Sequence, residues 1–548
     1  MKKINKFLLV AALSTPLLTS CIDETFPTSS ATEDQVTSSD KAVEAMLWGM
    51  PGRLNQYQTI SDAAYDWGYG SFMHMRDVMT EEYVVTASSY DWYTTWEFNR
   101  NAGPNYLSTQ THWYLYYQLV QAPNKLIKAI KDLAEPTEGQ LGALACGYAY
   151  RAFLFLDMAR MYEFLPAQVN SGEYSGKLAE PVTVFNAVKG DSVTFTSLEG
   201  LTCPIVDENI TEETSRNNPR ATHKEMFDFI LNDLNEAEKN IDKLTVSTKT
   251  LPRKAAVYGL KARLYMWNED YANAKVYARK AIDAENHSPL TKDEWLNKTS
   301  GFNTLSTSSW IWGSSMIKED DVVQSGILNW TSWSSNEASY GYASAGPISC
   351  VFNHFYDKID NNDFRKLSWK APQGSKLAGK EEYIDKAAFE KFPDYTSLKF
   401  RPGSGNTEDY QIGSVCSYPL MRVEEMYFIE MEAAAHLNAA EGLELLNNFM
   451  TTYRFKQYKT KAQSKEEVID EIFFQKRVEF WGEGISFFDY KRLNKSVTRI
   501  YGDSNFAPSA QFNTNGRPAW MNLCIVQSEE NNNRALVGLG NPDPSGKY

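Results

Sequence analysis

Cysteine and histidine are scarce in this chain, and the spacing of the few that occur excludes several classes of site. There are six of each in 548 residues. Apart from Cys21, the cysteines are far apart and odd in number: Cys146, Cys203, Cys350, Cys416 and Cys524. This spacing predicts neither a disulfide framework nor a CxxC metal pair, and no HExxH zinc motif occurs. We therefore expect no metal and no cofactor, and we expect the cysteines to pack as small apolar residues.

Long apolar runs and an excess of positive charge are also missing. Beyond Cys21 no apolar run approaches the roughly 20 residues that cross a bilayer, so we expect the rest of the chain to lie outside the membrane. Lysine and arginine total 55 against 69 aspartates and glutamates, which gives a net charge of -14. An acidic chain without a basic cluster is unsuited to neutralising phosphates, and nucleic acid is excluded as an expected partner.

The amino terminus has the composition of a targeting segment. Basic residues within 1–6 precede an uncharged apolar run over 7–18, and small residues lead to Cys21. This order predicts a signal peptide over 1–20. It resembles a bacterial lipoprotein signal, which implies that Cys21 carries several acyl chains and anchors the protein to a bilayer. The polar residues 21–40 predict a flexible tether. The alternative is an ordinary secreted protein with a chance cysteine.

Helical periodicity dominates most of the mature chain. Thr222 with Glu225, and Ser464 with Glu467, have the spacing of capping boxes that begin helices. Within 251–283 the order of large and small side chains is that of a tetratricopeptide repeat: Tyr258, Ala262, Tyr265, Ala274 and Ala281. We therefore predict an all-α dominated fold. Tetratricopeptide-like helix pairs should form a scaffold, with long irregular loops and short strands carrying the ligand site.

The stretch 298–419 lacks this periodicity. It is rich in Ser, Gly, Asn and Trp, which predicts loops and short strands laid on the helical scaffold. One oxygen-rich segment within it lacks the regular spacing and central glycine of a calcium loop and is interpreted as a turn. That segment contains Asp357, Asp360, Asn361, Asn362 and Asp363.

Five blocks of residues resemble the SusD/RagB family, the surface lipoproteins of Bacteroidetes-type bacteria that bind nutrient glycans beside a TonB-dependent transporter. In chain order the blocks are 148–153, 218–222 with 233–234, 255–266, 422–433 and 475–492. The last resembles the family's ERR-EL-EG-R-DL-R signature. It departs from the signature in two places, since Gln475 replaces the opening glutamate and Ile485-Ser486 stand where an arginine is usual.

The resemblance implies a domain organisation, a location and a partner. It implies one SusD-like domain over 41–548, with a helical scaffold over 41–297 and 420–495 and a loop-rich ligand-binding insertion over 298–419. It implies a non-catalytic protein, lipid-anchored in the outer membrane and facing the cell exterior. Such a protein captures an oligosaccharide or polysaccharide and delivers it to a SusC-like TonB-dependent transporter. The charged signature residues are interpreted as structural ion pairs within helix packing: Arg422, Glu424, Arg477, Glu479 and Asp489.

Aromatic residues outside helical periodicity are the candidates for a glycan site, because flat rings on loops suit the weakly polar faces of sugar rings. The residues predicted to bind ligand are Trp67, Trp92, Tyr93, Trp96, Asn99, Trp310, Trp330, Trp333, Tyr340 and Tyr342. The alternative for each ring is packing that pins its loop down. Trp113, Trp267 and Trp481 lie in helical patterns and are assigned to the core.

Two other functions remain as alternatives. A glycoside hydrolase needs two carboxyl groups about 5 to 9.5 Å apart across the scissile bond. The neighbouring acids Glu81 and Glu82, and those in 319–321, do not establish that geometry, and no GxSxG nucleophile motif occurs. A RagB-like receptor of the same fold would bind peptides through backbone hydrogen bonds and apolar pockets.

Overall fold

A computed structural model of the protein describes residues 40–86, 100–170 and 172–548. The longer helices make up most of the regular secondary structure, as the helical periodicity predicts. In chain order they are α1 (Asp40–Arg53), α2 (Tyr69–Val78), α3 (Leu107–Lys131), α4 (Glu138–Tyr162), α5 (His223–Asn240), α6 (Lys254–Trp267), α7 (Tyr271–Asp283), α8 (Val423–Leu437), α9 (Ala439–Tyr453), α10 (Lys465–Glu479) and α11 (Ser486–Arg492).

The strands are short and pair antiparallel, two at a time, within the described residues. The pairs are β1 (Tyr83–Val85) with β7 (Ser349–Val351), β2 (Ala167–Val169) with β3 (Gly172–Tyr174), β4 (Lys177–Asn186) with β5 (Asp191–Ser197), and β6 (Trp310–Ser315) with β8 (Ser417–Arg422). Short α-helical turns are Glu212–Ser215, Lys292–Trp295, Asp321–Gln324, Trp330–Ser334, Asn353–Lys358, Lys386–Phe389, Tyr410–Gly413 and Gln527–Asn532. Turns of 3₁₀ type are Ile241–Lys243, Tyr342–Ala345, Phe364–Ser368, Gly403–Gly405, Pro508–Ala510, Ala519–Met521 and Arg534–Leu536.

Helices that are neighbours in sequence pack against each other, which is the arrangement predicted for the scaffold. The long helices α3 and α4 form one pair, α6 and α7 form another, and α7 also packs on α8. In the α6–α7 pair the small residues Ala262, Ala274 and Ala281 are fully buried. Small side chains allow close approach of the helix axes, and the rings of Tyr265 and Tyr277 stack at 5.5 Å beside them.

Both predicted capping boxes are present. The Thr222 hydroxyl accepts a hydrogen bond from the Glu225 amide, and the Glu225 side chain accepts one from the Thr222 amide. Ser464 and Glu467 make the same reciprocal pair at the start of α10. Each box satisfies amide donors that the first turn of a helix would otherwise leave without partners.

The core is rich in aromatic rings. Trp113, Trp267 and Trp481 are buried, as assigned from the sequence. All five cysteines in the described part of the chain are buried, as expected of residues that pack as small apolar side chains.

A buried cluster of charges joins the helical scaffold to the irregular stretch. We call it the Glu479 cluster; its members are Glu424, Glu479, Glu483, Arg365, Arg422, Arg454 and Lys399, all 5% exposed or less. The Glu479 carboxylate lies 2.6 Å from Arg454, 2.9 Å from Arg365 and 3.3 Å from Arg422. Burial alone would raise the pKa of Glu479, but the three guanidinium groups outweigh it and hold the pKa well below its ordinary value.

The cluster confirms the structural interpretation of the charged signature residues. Besides Glu479 and Arg422, Glu424 pairs with Arg422 at 2.9 Å. Asp489 pairs with Lys476 at 2.7 Å, and Arg477 lies 3.6 Å from Glu82. Because these charged side chains pair with one another, their role is to stabilise the packing of the helices.

The two departures from the family signature are accommodated locally. Gln475 accepts a hydrogen bond from Arg365 at 2.5 Å and donates one to Glu471 at 2.9 Å. Ser486 is buried and acts on the carboxylate of Glu82, whose pKa it lowers. Neither position leaves a charge in the cluster without an opposite charge.

Replacing Glu479 with glutamine should strongly destabilise the protein. The substitution keeps the shape but leaves three buried guanidinium groups short of a counter-charge, a change that costs about 3–5 kcal/mol of unfolding free energy. Glu444→Gln, at an exposed position on α9, is the matched control and should stay within about 0.5 kcal/mol of the unmodified protein. Urea unfolding followed by circular dichroism measures both. A similar, small effect of the two variants would contradict the role given to the cluster.

Candidate functional site

Five of the aromatic residues predicted to bind ligand are buried. They are Trp67, Trp310, Trp330, Trp333 and Tyr342, with 0% to 6% of their surface exposed. The prediction that these five rings are open to a ligand is wrong, because each ring packs inside the protein. The alternative of packing describes them.

The contacts of these rings explain their burial. Trp330 stacks on Tyr418 with ring centroids 4.8 Å apart, and Trp333 stacks on Tyr342 at 3.7 Å. Trp310 lies in β6, where its backbone pairs with β8. Each of these rings covers the short strand or helical turn on which it packs. The rings therefore stabilise the irregular stretch.

The remaining predicted residues have different positions. Tyr340 is half-buried, with its ring edge-on to Tyr410 at 6.5 Å. Trp92, Tyr93, Trp96 and Asn99, together with Cys21, lie outside the described residues.

The irregular stretch contains a groove of about 370 Å³, which lies within the range of roughly 300–1,000 Å³ typical of small-molecule sites. We call it the insertion groove. It is lined by Asn336, Glu337, Ala338, Ser339, Ala343, Ser344, Ile348, Asp385, Ala388, Phe389, Lys391, Phe392, Thr407 and Glu408. All of these residues belong to the segment predicted to carry the ligand site.

Phe389 and Phe392 give the groove its apolar part. Phe389 is almost fully buried, and its ring lies 5.1 Å from that of Phe392 and 4.9 Å from that of Tyr383. Asp385 caps the turn that carries Phe389 by accepting a hydrogen bond from the Ala387 amide at 2.9 Å. The cap holds the aromatic ring in place.

The polar rim is held by hydrogen bonds and one ion pair. Glu337 pairs with Arg401 and accepts a hydrogen bond from the Ile384 amide at 2.8 Å. Two residues after Glu337, the Ser339 amide donates a hydrogen bond to the Thr407 carbonyl at 2.8 Å. The Ser339 hydroxyl donates one to the Glu408 carboxylate at 3.3 Å. Carboxylates and hydroxyls fixed in this way can exchange hydrogen bonds with a polar ligand.

The described chain before the segment 87–99 ends at Thr86, at the edge of this groove. The amide of Thr86 donates to the carbonyl of Ile348 at 3.0 Å, and the amide of Ile348 donates to the Thr86 hydroxyl at 2.8 Å. Since Ile348 lines the groove, Thr86 lies beside the groove wall.

The turn interpreted from the oxygen-rich segment is confirmed. Asp360 accepts a hydrogen bond from the Asn362 amide at 2.8 Å, and Asp363 accepts one from the Arg365 amide at 2.9 Å. Across the residues that the structure describes, no group of three or more His, Cys, Asp or Glu side chains is arranged to hold a metal ion. Nor does any helix in this part of the chain have the length and apolar character needed to cross a bilayer.

Sequence reasoning missed Phe389 and Phe392. Both lie outside helical periodicity in the irregular stretch, which is the criterion that selected the tryptophans. Their spacing in the segment 385–392, between charged residues, was the available signal.

Two family models match the chain. Residues 328–537 match the model described as "SusD family", and residues 35–266 match the one described as "Starch-binding associating with outer membrane". No curated protein matches the chain.

Solved structures from Bacteroides species have the same fold. A SusD-like carbohydrate binding protein from Bacteroides vulgatus has a TM-score of 0.68 and 21% identity, over 91% of this chain and 97% of its own. A SusD superfamily protein from Bacteroides thetaiotaomicron has a TM-score of 0.65 and 16% identity, over 92% and 99%. Surface glycan-binding protein A from Bacteroides thetaiotaomicron has a TM-score of 0.61 and 16% identity, over 92% and 99%.

Removing a buried tryptophan should affect stability before it affects binding. We expect Trp330→Ala and Trp333→Ala each to lower the free energy of unfolding by about 3–5 kcal/mol through lost packing and the cavity left behind. Trp48→Ala is the control, since Trp48 is 41% exposed, and its effect should be within about 0.5 kcal/mol. Urea unfolding gives these values. A fully stable Trp330→Ala variant would contradict the structural role of that ring.

Proposed function

This chain belongs to the SusD/RagB family, and on that premise we propose that it is a non-catalytic glycan-binding protein of the cell surface that passes its ligand to a TonB-dependent transporter. The observation that carries the proposal is the match of residues 35–266 to the model described as "Starch-binding associating with outer membrane". A SusD-like relative of the same fold is itself described as a carbohydrate binding protein.

We propose the insertion groove as the binding site, together with Trp92, Tyr93 and Trp96. The apolar ring of Phe392 suits the C–H face of a sugar, and the rim hydroxyls and carboxylates suit its hydroxyl groups. The hydrogen bond between Thr86, the last described residue before these three in the chain, and Ile348 at the groove edge supports their inclusion.

We propose that the protein is held in the outer membrane by lipid on Cys21 and faces the cell exterior. The supporting observations are the apolar run before Cys21 and the outer-membrane association in the description of the matching family model. A tether over 21–40 then leaves the folded body free to cover a SusC-like transporter. A lid of that kind needs a large contact area to stay in place.

The acids nearest the aromatic segments support a non-catalytic role. Glu82 accepts a hydrogen bond from Tyr490 at 2.9 Å, and Glu81 accepts one from the Thr498 amide at 2.9 Å. Both carboxylates lie within 3.7 Å of the buried Arg477 guanidinium. A hydrolase needs its two carboxyl groups facing the substrate, whereas these two are occupied with packing.

Peptide binding is the second candidate. The buried tryptophans no longer favour sugar over peptide, and an apolar pocket with a polar rim also suits a peptide side chain. The two functions differ in the ligand captured by the same groove.

Blocking the groove should abolish ligand binding. Ala388 is exposed and lines the groove, whereas Ala387 is exposed on the same turn and does not line it. Ala388→Trp should therefore lower the affinity for a glycan identified on an array by ten-fold or more, and Ala387→Trp should leave it unchanged. Isothermal titration calorimetry measures both affinities. Equal affinities would place the ligand elsewhere, and capture of a peptide pool without glycan would favour the second candidate.

The same titration tests Trp92 and Trp96. Trp92→Ala and Trp96→Ala should each weaken glycan binding by several-fold, because a stacked ring contributes about 0.5–1.5 kcal/mol. Trp48→Ala replaces an exposed tryptophan of α1 and is the control. Unchanged affinity in both variants would remove these rings from the proposed site.

Lipid attachment should depend on Cys21 alone. A Cys21→Ser variant should be released from the membrane fraction and should not incorporate labelled palmitate, because no acyl chain remains to anchor it. Cys524→Ser changes a buried thiol and should leave labelling intact. Normal membrane retention of Cys21→Ser would contradict the anchor.

A further inference from the structure

A second cavity lies within the helical scaffold, apart from the insertion groove. Its volume is about 340 Å³, at the lower end of the range for small-molecule sites. We call it the arginine pocket, after the basic side chains in its wall: Arg160, Arg263, Lys476, Lys491, Arg492 and Arg517. They come from α4, α6, α10, α11 and the segment after it, so the pocket is enclosed by rigid elements.

Most acids in the wall of the arginine pocket already have partners. Glu425 binds Arg263 through two hydrogen bonds of 2.7 and 2.5 Å. Glu163 binds His223 and the indole N–H of Trp267, each at 2.7 Å. These contacts engage both carboxylates, although Glu163 still acts electrostatically on Lys491 and Arg517, and the exposed wall residue Glu269 acts on Arg517.

Asp489 is shared in the same way. It lies 2.7 Å from Lys476 and 2.9 Å from Arg492. Arg492 still has one buried nitrogen, Nη1, that makes no hydrogen bond within the described residues.

Lys491 and Arg517 have no carboxylate within 4 Å in the part of the chain that the structure describes. Lys491 donates only to the backbone carbonyls of Met161 and Glu163, at 2.9 and 2.6 Å. Arg517 donates to the Lys491 carbonyl at 2.7 Å and to the Asn494 side chain at 3.1 Å. Among the described residues neither cation forms a direct ion pair, although the carboxylate of Glu163 acts on both from farther away and those of Glu199 and Glu269 act on Arg517.

Burial dominates the electrostatics of these two groups. Burial, together with the guanidinium groups of Arg517 and Arg220, outweighs the carboxylate of Glu163 and holds the pKa of Lys491 well below its ordinary value. Burial likewise lowers the pKa of Arg517, against the carboxylates of Glu163, Glu199 and Glu269, which raise it. An anion bound between them would offset both effects.

The rest of the wall favours an organic anion over a bare inorganic one. Leu165, Met266 and Ile429 contribute apolar surface to the same cavity. A small inorganic ion would leave that surface against water, whereas a ligand with a carbon skeleton would cover it.

We propose that the arginine pocket binds a carboxylate-bearing ligand of monosaccharide size, of which a hexuronate is the simplest example, with the carboxylate held by Arg517 and Lys491. This site is separate from the insertion groove and does not depend on the function proposed for it.

Calorimetric titration of the mature chain with glucuronate, glucose and inorganic phosphate tests the proposal. Glucuronate should bind at least ten-fold more tightly than phosphate, and glucose should not bind measurably. Arg517→Gln should weaken glucuronate about ten-fold or more, since a charge-assisted hydrogen bond is lost. Arg216→Gln removes an exposed arginine from a surface pair and should have no effect.

Several outcomes would overturn the assignment. They are absence of glucuronate binding, equal binding of phosphate, and unchanged affinity in Arg517→Gln. The groove-blocking Ala388→Trp variant should bind glucuronate normally, and loss of binding in it would assign the ligand to the groove. If Arg517→Gln does not fold, a protection experiment on the unmodified protein tests the site instead. Glucuronate, and not glucose, should slow phenylglyoxal modification of Arg517 as mapped by mass spectrometry, and the absence of protection would refute the site.

Discussion

The Glu479 cluster is the constraint on which the rest of the structure depends. Glu479 ends α10, Arg454 follows α9, and Arg422 precedes α8, whereas Arg365 and Lys399 come from the irregular stretch. Taking an ion out of water costs several kcal/mol, and the cost is recovered only when partners meet with good geometry. An arrangement that separated the irregular stretch from the helices would leave these charges buried without partners. The cluster therefore fixes where more than a hundred residues without regular periodicity lie on the scaffold.

The Glu479 cluster also fixes the position of the insertion groove, through residues 399–401. Lys399 donates to the carbonyls of Glu479 and Trp481 at 2.9 and 2.8 Å. Two residues later, Arg401 pairs with Glu337 at the groove rim and donates to the Glu382 carbonyl at 2.6 Å. The rim is thus tied to the buried charges before any ligand arrives. A site ordered in advance loses less conformational entropy on binding.

Local signals in the sequence predicted the helices well and the exposure of the rings poorly. The capping box at Thr222 and the small residues of the α6–α7 pair act over a few residues, so they are visible in sequence. Whether Trp333 faces solvent depends on its stacking with Tyr342 and on β1 pairing with β7, which are contacts between distant segments. The β4–β5 hairpin lies outside the stretch 298–419 that was predicted to hold the strands. The alternation of Val182, Val184, Val193 and Phe195 is nevertheless a local strand pattern, which helical periodicity does not detect.

Buried charges have opposite consequences in two parts of this scaffold. In the Glu479 cluster each arginine has at least one carboxylate, so the charges hold one another and the region is closed. In the arginine pocket Glu163, Glu425 and Asp489 are bound to other partners, and the hydrogen bonds of Arg517 within the described residues go to neutral acceptors, while Glu163, Glu199 and Glu269 act on it from farther away. A cation in that state favours whatever anion the cavity can admit, because the helices around it are too well packed to move an acid toward it. The balance of paired and unpaired charge, more than the number of charged residues, separates a structural site from a binding site here.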